Sequence, residues 1–206
     1  VFSESPILLV EGTDEVRIWQ QAARSSQGDI HFYPVDVGGI GNMPAYEDRV
    51  IKISEAIYEN ATSFSLRDRD GGVEEIENTG PLVRCKLKCH ASENLLLSDT
   101  VLVSLGIDWS TMKERIEEWI AVNPAHSKLK DMKAFQSSGF DRLGFKLKEV
   151  RIALLDIAET NKPWEVLVGQ ELSKLTRSDL ESQPPDNAIS DYLGQAMRDS
   201  LLSVMS

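Results

Sequence analysis

Hydrophobic spacing changes repeatedly along the first hundred residues. The run PILLV at 6–10 is continuously apolar and reads as a buried strand, while 14–26 carries apolar residues at helical intervals. A second strand is predicted over 30–37 (IHFYPVDV), running into the glycine-bearing stretch GGIGNM, and a helix over 44–60. Strands three and four are predicted over 62–67 (TSFSLR) and 82–89 (LVRCKLKC). Strand, helix, strand, helix is the rhythm of a parallel sheet with helices on both faces. Past residue 98 the spacing becomes mostly three and four, predicting helices over 110–121, 146–160, 164–176 and 187–204, with the loop SQPPDN at 182–187. The expected fold class is α/β: residues 1–100 form a parallel-sheet core, and 101–206 a helical extension packed on it or inserted beside it.

Composition narrows this little. A chain of 206 residues with 41% hydrophobic and 27% charged residues is ordinary for a water-soluble globular protein. No apolar stretch approaches the roughly 18 residues of a membrane span, and no basic-then-apolar leader opens the chain. It begins with Val1, as a trimmed product or a domain of a longer protein would. Cys85 and Cys89 are the only cysteines, too far apart in an extended segment to bridge each other, which points to a reducing, cytoplasmic setting.

Charge adds more. A net charge of −11 opposes binding of nucleic acid by bulk attraction. Yet between Lys128 and Arg151 there are seven Lys or Arg against three acids, a local basic stripe or a solvated helix face.

The acids carry the sharper signal. Glu11 ends strand one, Gly12 allows close backbone approach, and Glu15 follows four residues on. Strand three ends in SLRDRDGG, where Asp68 and Asp70 are two apart and point the same way in extended chain. Glu93 follows strand four in HASENLLL. Ligands bind outside the carboxyl ends of strands in open α/β sheets, so a parallel sheet brings Glu11, Glu15, Asp68, Asp70 and Glu93 to one edge. Each acid alone is as ordinary as a cap or a polar turn. Together they form an oxygen-only set suited to Mg²⁺ or Mn²⁺, and two such ions about 3.5–4 Å apart serve phosphodiester chemistry. A zinc reading of Cys85, Cys89 and His90 lacks a fourth ligand with sensible spacing. His31 and His126 read as structural or exposed, and the tryptophans at 19, 109, 119 and 164 as packing.

LLVEG with an acid four residues past its Glu, and an apolar strand ending in Asp-x-Asp, resemble the Toprim domain, a Rossmann-like fold. That domain is shared by topoisomerases, bacterial primases, small ribosomal-RNA maturases and the OLD (overcoming lysogenization defect) nucleases. VDVGGIGNM also fits, and SENLLL resembles the Glu-Asn-(Leu/Tyr)-Leu motif of OLD-like, defence-associated nucleases. The likeness covers roughly residues 5–100, and the helical remainder matches only loosely. It implies a DNA endonuclease or nickase that uses two Mg²⁺ or Mn²⁺ ions. Glu11 would be metal ligand or general base, Asp68 and Asp70 metal ligands, and Glu15 and Glu93 a second metal site. OLD-like nucleases carry a Gly-Lys pair before a C-terminal helix. VLVGQELSKL puts Gln170 in the lysine's place, leaving Lys174 or Lys162 as the replacement cation. DNA would lie on Lys146, Lys148 and Arg151. No Gly-Lys-Ser/Thr follows GGIGNM, so an ATPase is expected upstream or on a partner chain rather than here. The resemblance leaves room for a homodimer, for an RNA-cleaving maturase or primase, and for a binding module with impaired chemistry. Topoisomerase is disfavoured, since the partner domain with its nucleophilic tyrosine is absent from the sequence.

Overall fold

The computed structural model of the protein describes residues 5–57, 62–70, 72 and 76–205. In chain order its elements are β1 (Ile7–Val10), α1 (Thr13–Ser25), β2 (Tyr33–Asp36), α2 (Met43–Ile57), β3 (Ser63–Arg67) and β4 (Leu82–Lys86). There follow α3 (Asp99–Ser104), α4 (Trp109–Val122), α5 (Leu129–Ser137), α6 (Arg151–Ile157), α7 (Trp164–Leu172), α8 (Arg177–Glu181), α9 (Ile189–Leu193) and α10 (Gln195–Val204). Short 3-10 helices cover Ile40–Asn42 and Ser92–Leu97. No helix among the described residues is long and apolar enough to cross a membrane.

The four strands form one parallel sheet in the order β2-β1-β3-β4. Alternation along each strand divides its side chains between two faces. Leu8 and Val10 enter the main core with Phe64, Leu66 and Trp19. Leu9 enters a smaller cluster with Val37, Met43 and Val50 beneath α2, and Ile7 packs against it. Helices therefore cover both faces, as the strand-helix rhythm predicts. The main core continues without a break from Leu8 to Leu201, so the helical half packs on the sheet rather than standing apart.

The α2 face also carries a buried polar cluster. Ser65 on β3 donates its hydroxyl to Glu47 of α2 at 2.7 Å, and Arg67 and Arg84 each reach the same carboxylate at 2.8 Å. Glu47 is only 1% exposed. Burial works to raise its pKa, but the hydrogen bonds from Ser65, Arg67 and Arg84 and the Arg67 charge outweigh it and hold the carboxyl below its usual range.

Several predicted elements change length. The 187–204 helix is two helices broken at Gly194, whose φ of 77° is open to glycine and whose Cβ would sit 2.9 Å from the Lys86 carbonyl oxygen. The break lets the Tyr192 carbonyl accept hydrogen bonds from the amides of Lys88 and Cys89 beyond β4. The 146–160 helix starts only at Arg151, which leaves Lys146 and Lys148 in the preceding turn. Helices α3, α5 and α8 lie where no helix is predicted. The predicted helix over 44–60 ends at Ile57, and its last three positions lie outside the described residues. Helix α7 crosses α1 so closely that a Cβ at Gly169 would stand 2.6 Å from both Gln21 Cβ and the Ile18 carbonyl oxygen.

Candidate functional site

The strand ends deliver their acids to one pocket of about 340 Å³. Its walls carry Glu11, Asp14, Glu15, Asp68, Asp70 and Glu93, with Gly12, His90, Lys146 and Lys148 among them. All five acids expected at the sheet edge are here, and so is Asp14. Their positions follow from the backbone. Strand β1 ends at Val10, and the Gly39 amide donates to the Glu11 carbonyl at 2.7 Å, tying the turn after β2 beside it. Asp14 and Glu15 occupy the first turn of α1, where the helix dipole favours carboxylates. A Cβ at Gly12 would lie 3.1 Å from Glu15 Oε2, so glycine lets that carboxylate fold back over the turn.

Asp68 sits at the centre. Its amide donates to Glu11 Oε1 at 3.0 Å, and its own Oδ1 accepts from the Ser92 amide at 3.1 Å and the Ser92 hydroxyl at 3.3 Å. Burial, then the charges of Glu15, Glu11, Glu93 and Asp70, push its pKa up to about 8. Glu11 and Glu15 are also raised, each chiefly by burial. Asp70 takes a left-handed conformation (φ 47°), and the amides of both Arg69 and Asp70 donate to the His90 carbonyl at 3.0 Å. Such a conformation costs a non-glycine residue about 1 kcal/mol or more and is held only by its surroundings.

Two of the expected basic residues behave differently from Lys146 and Lys148. Arg151 turns inward: it lies 3.0 Å from Glu93 Oε1 and 3.4 Å from Asp14 Oδ2, with its guanidinium over the Trp164 ring. It neutralises the pocket wall instead of offering a free contact to nucleic acid. Lys174 does not line the pocket, is 64% exposed, and pairs with Glu171 at 2.6 Å one turn back on its own segment. Gln170 does not line the pocket either, and its neighbour Gly169 serves the contact of α7 with α1. Of the expected basic residues, Lys146 and Lys148 are the ones that line the pocket. Further along the stripe, Lys128 is paired with Glu149 at 2.6 Å.

His90 is the lining residue that sequence reasoning set aside. Its Nε2 lies 3.8 Å from Asp70 Oδ1. The only signal for it was its position just beyond strand four. Cys85 and Cys89 are core residues, and burial raises both thiols, Cys85 to about 11, which suits packing rather than metal ligation.

By chemistry the donor set fits a hard cation, since the acids offer only oxygen and repel one another. As they stand, no three His, Cys, Asp or Glu side chains among the described residues are drawn close enough to hold a metal ion. The carboxylates instead lean on separate donors, Glu93 on Arg151 and Asp68 on Ser92. The arrangement is an acid-walled pocket at the carboxyl end of a parallel sheet, with two lysines in its lining.

No family model matches the chain, and no curated protein matches it. Among solved structures it is similar to the C-terminal region of the Xanthomonas campestris pv. campestris OLD protein. The form phased with iodine is 17% identical, with a TM-score of 0.38 over 97% of this chain and 96% of that one. The form phased with mercury is 16% identical, with a TM-score of 0.39 over 97% of each chain.

Proposed function

We propose that this pocket is the centre of a Mg²⁺- or Mn²⁺-dependent nuclease or nickase that cuts DNA, governed by an ATPase domain or partner. The observation that carries the reading is Asp68: a half-buried carboxyl faced by four other acids, from the ends of β1 and β3, the first turn of α1 and the 3-10 helix after β4, with its pKa raised to about 8. Divalent ions held there would supply Lewis-acid charge and an acidified water to a phosphodiester. Glu11, Asp68 and Asp70 would hold one ion, and Glu15 and Glu93 a second. Lys146 and Lys148, in the same lining, would attract and orient the phosphate, placing positive charge where negative charge grows. Arg151 keeps Glu93 and Asp14 in place and lowers the repulsion along that wall. The likeness of LLVEG, Asp-x-Asp and SENLLL to the Toprim and OLD-like motifs supports the assignment. The test is incubation with supercoiled plasmid in Mn²⁺ or Mg²⁺ against EDTA, for wild type and Asp68→Asn. Metal-dependent nicking by wild type alone is expected, and nicking that survives EDTA or the substitution refutes the proposal.

A second reading is a phosphodiester-binding module that does not cleave. It is favoured by Lys174 and Gln170 standing outside the pocket and by acids already occupied with Arg151 and Ser92. Metal-independent DNA binding without nicking would select it.

A further inference from the structure

We infer that Asn94 is a positioning residue that fixes Lys146 and Lys148 at the acid pocket by latching the 141–145 turn to the segment that carries Glu93. The inference rests on the proposed phosphodiester site for its purpose, but its geometry stands alone. Asn94 is fully buried, and its side chain uses both ends. Its Oδ1 accepts from the Ala91 amide at 3.1 Å, while its Nδ2 donates to the carbonyls of Arg142 and Phe145, both at 2.8 Å. Beside it the His90 amide donates to the Leu143 carbonyl at 2.6 Å.

The turn thus surrenders three of its carbonyls to residues 90–94. Arg142 locks it from the other side, reaching the Leu97 carbonyl at 3.0 Å and the Asp99 carboxylate at 2.5 Å, with its guanidinium 4.4 Å above the Trp109 ring. Lys146 follows Phe145 directly and Lys148 is two residues further, both exposed and both on the pocket wall. Nothing in this arrangement needs Lys146 or Lys148 for stability. What it fixes is where the chain re-emerges relative to Glu93 and Asp68. A buried amide with two donations and one acceptance is costly to replace, since each abandoned backbone group stays unpaired. The Asn of SENLLL thereby joins the acid wall to the two lysines.

The experiment combines hydrogen exchange with a double-mutant cycle on the full chain. In wild type the amides of His90 and Ala91, which donate into the latch, should exchange slowly. In Asn94→Ala they should exchange far faster, while amides in β1 and β3 keep their protection. Affinity for a short duplex DNA should fall about three- to tenfold, as for Lys146→Ala/Lys148→Ala, because phosphate contacts are lost. In that lysine-free background Asn94→Ala should weaken binding no further, and the Mn²⁺-induced rise in Tm should persist.

Equal protection in wild type and Asn94→Ala, or additive losses of DNA affinity, would overturn the latch. Loss of the Mn²⁺ response together with DNA binding would also overturn it, by showing a general structural role. If Asn94→Ala does not fold, wild-type exchange decides: His90 and Ala91 amides as fast as exposed loops refute the latch. If Lys146→Ala/Lys148→Ala binds DNA like wild type, the phosphodiester reading fails, and exchange alone judges the latch.

Discussion

Two carboxylates, Glu47 buried and Asp68 half-buried, lie near strand β3 and have opposite electrostatics. Glu47, beneath the sheet, is closed in by Ser65, Arg67 and Arg84, and its acidity is strengthened despite burial. Asp68, one residue past the end of the strand, has Ser92 as donor but faces Glu11, Glu15, Glu93 and Asp70, and its acidity is weakened to a pKa of about 8. The first carboxylate carries its countercharges within the fold. The second belongs to a group whose negative charge exceeds that of its neighbours, even with Arg151 paired to Glu93 and Asp14. Burial alone therefore does not decide whether a carboxyl's acidity is strengthened or weakened. The distinction is whether the protein itself supplies the opposite charge.

The largest expected effect comes from breaking the satisfied side. Glu47→Ala leaves Arg67 and Arg84 facing one another across a buried space. Removing one partner of a buried ion cluster costs about 3–5 kcal/mol, so thermal unfolding should show Tm lower by roughly 10 °C. Metal response should survive in the folded fraction.

The strained side should respond with the opposite sign. A folded-state pKa near 8, above the unfolded value of 3.8, means the native protein holds the Asp68 proton more tightly than the unfolded chain. Stability then falls as pH rises from about 4 to 8, and the penalty is complete above 8. Asp68→Asn keeps the acceptor for Ser92 and removes that penalty. Without metal it should stabilise the protein by roughly 2–3 kcal/mol at pH 8, allowing for solvent screening, and by almost nothing at pH 4. Chemical denaturation at the two pH values measures both.

An effect of similar size is expected from the ions themselves. Mn²⁺ at 100 times its Kd should stabilise wild type by about 2.7 kcal/mol, and Asp68→Ala/Asp70→Ala should lose that gain while folding normally. A full rise of Tm in the double variant would place the ions elsewhere. Smallest of all, Gln170→Lys and Lys174→Ala should change single-turnover nicking less than about twofold, because neither position lines the pocket. A tenfold change from either, about 1.4 kcal/mol, would mean that α7 approaches the reacting phosphate.

The acid pocket was legible in the sequence because it follows from short-range rules. Apolar runs locate strands, a parallel sheet aligns their carboxyl ends, Glu11, Asp68 and Asp70 fall just past those ends, and Glu93 follows in the 3-10 helix after β4. What resisted reading depends on partners far along the chain. Glu47 meets Arg67 and Arg84 across 20 and 37 residues, and Arg151 meets Glu93 across 58. A basic residue on a helical pattern gives no sign that it will turn inward. Lys146 and Lys148 open a segment with helical spacing, yet the bonds from His90 and Asn94 tie down the carbonyls of Arg142, Leu143 and Phe145, and the helix starts only at Arg151. Gly169 suggested a Gly-Lys motif, but its contact is with α1.

The most direct test of the difference between the two carboxylates is calorimetric titration of Mn²⁺ at pH 7, in two buffers with different ionisation enthalpies. Metal ligands must give up their protons to bind. Ions that enter at Asp68 should therefore release about one proton each at pH 7 and almost none at pH 9.5, and Asp68→Asn should lose that release along with most of the affinity. Glu47→Gln should leave both unchanged. Mn²⁺ binding with no proton release at pH 7, or with equal affinity in Asp68→Asn, would contradict the assignment of this pocket as the metal centre.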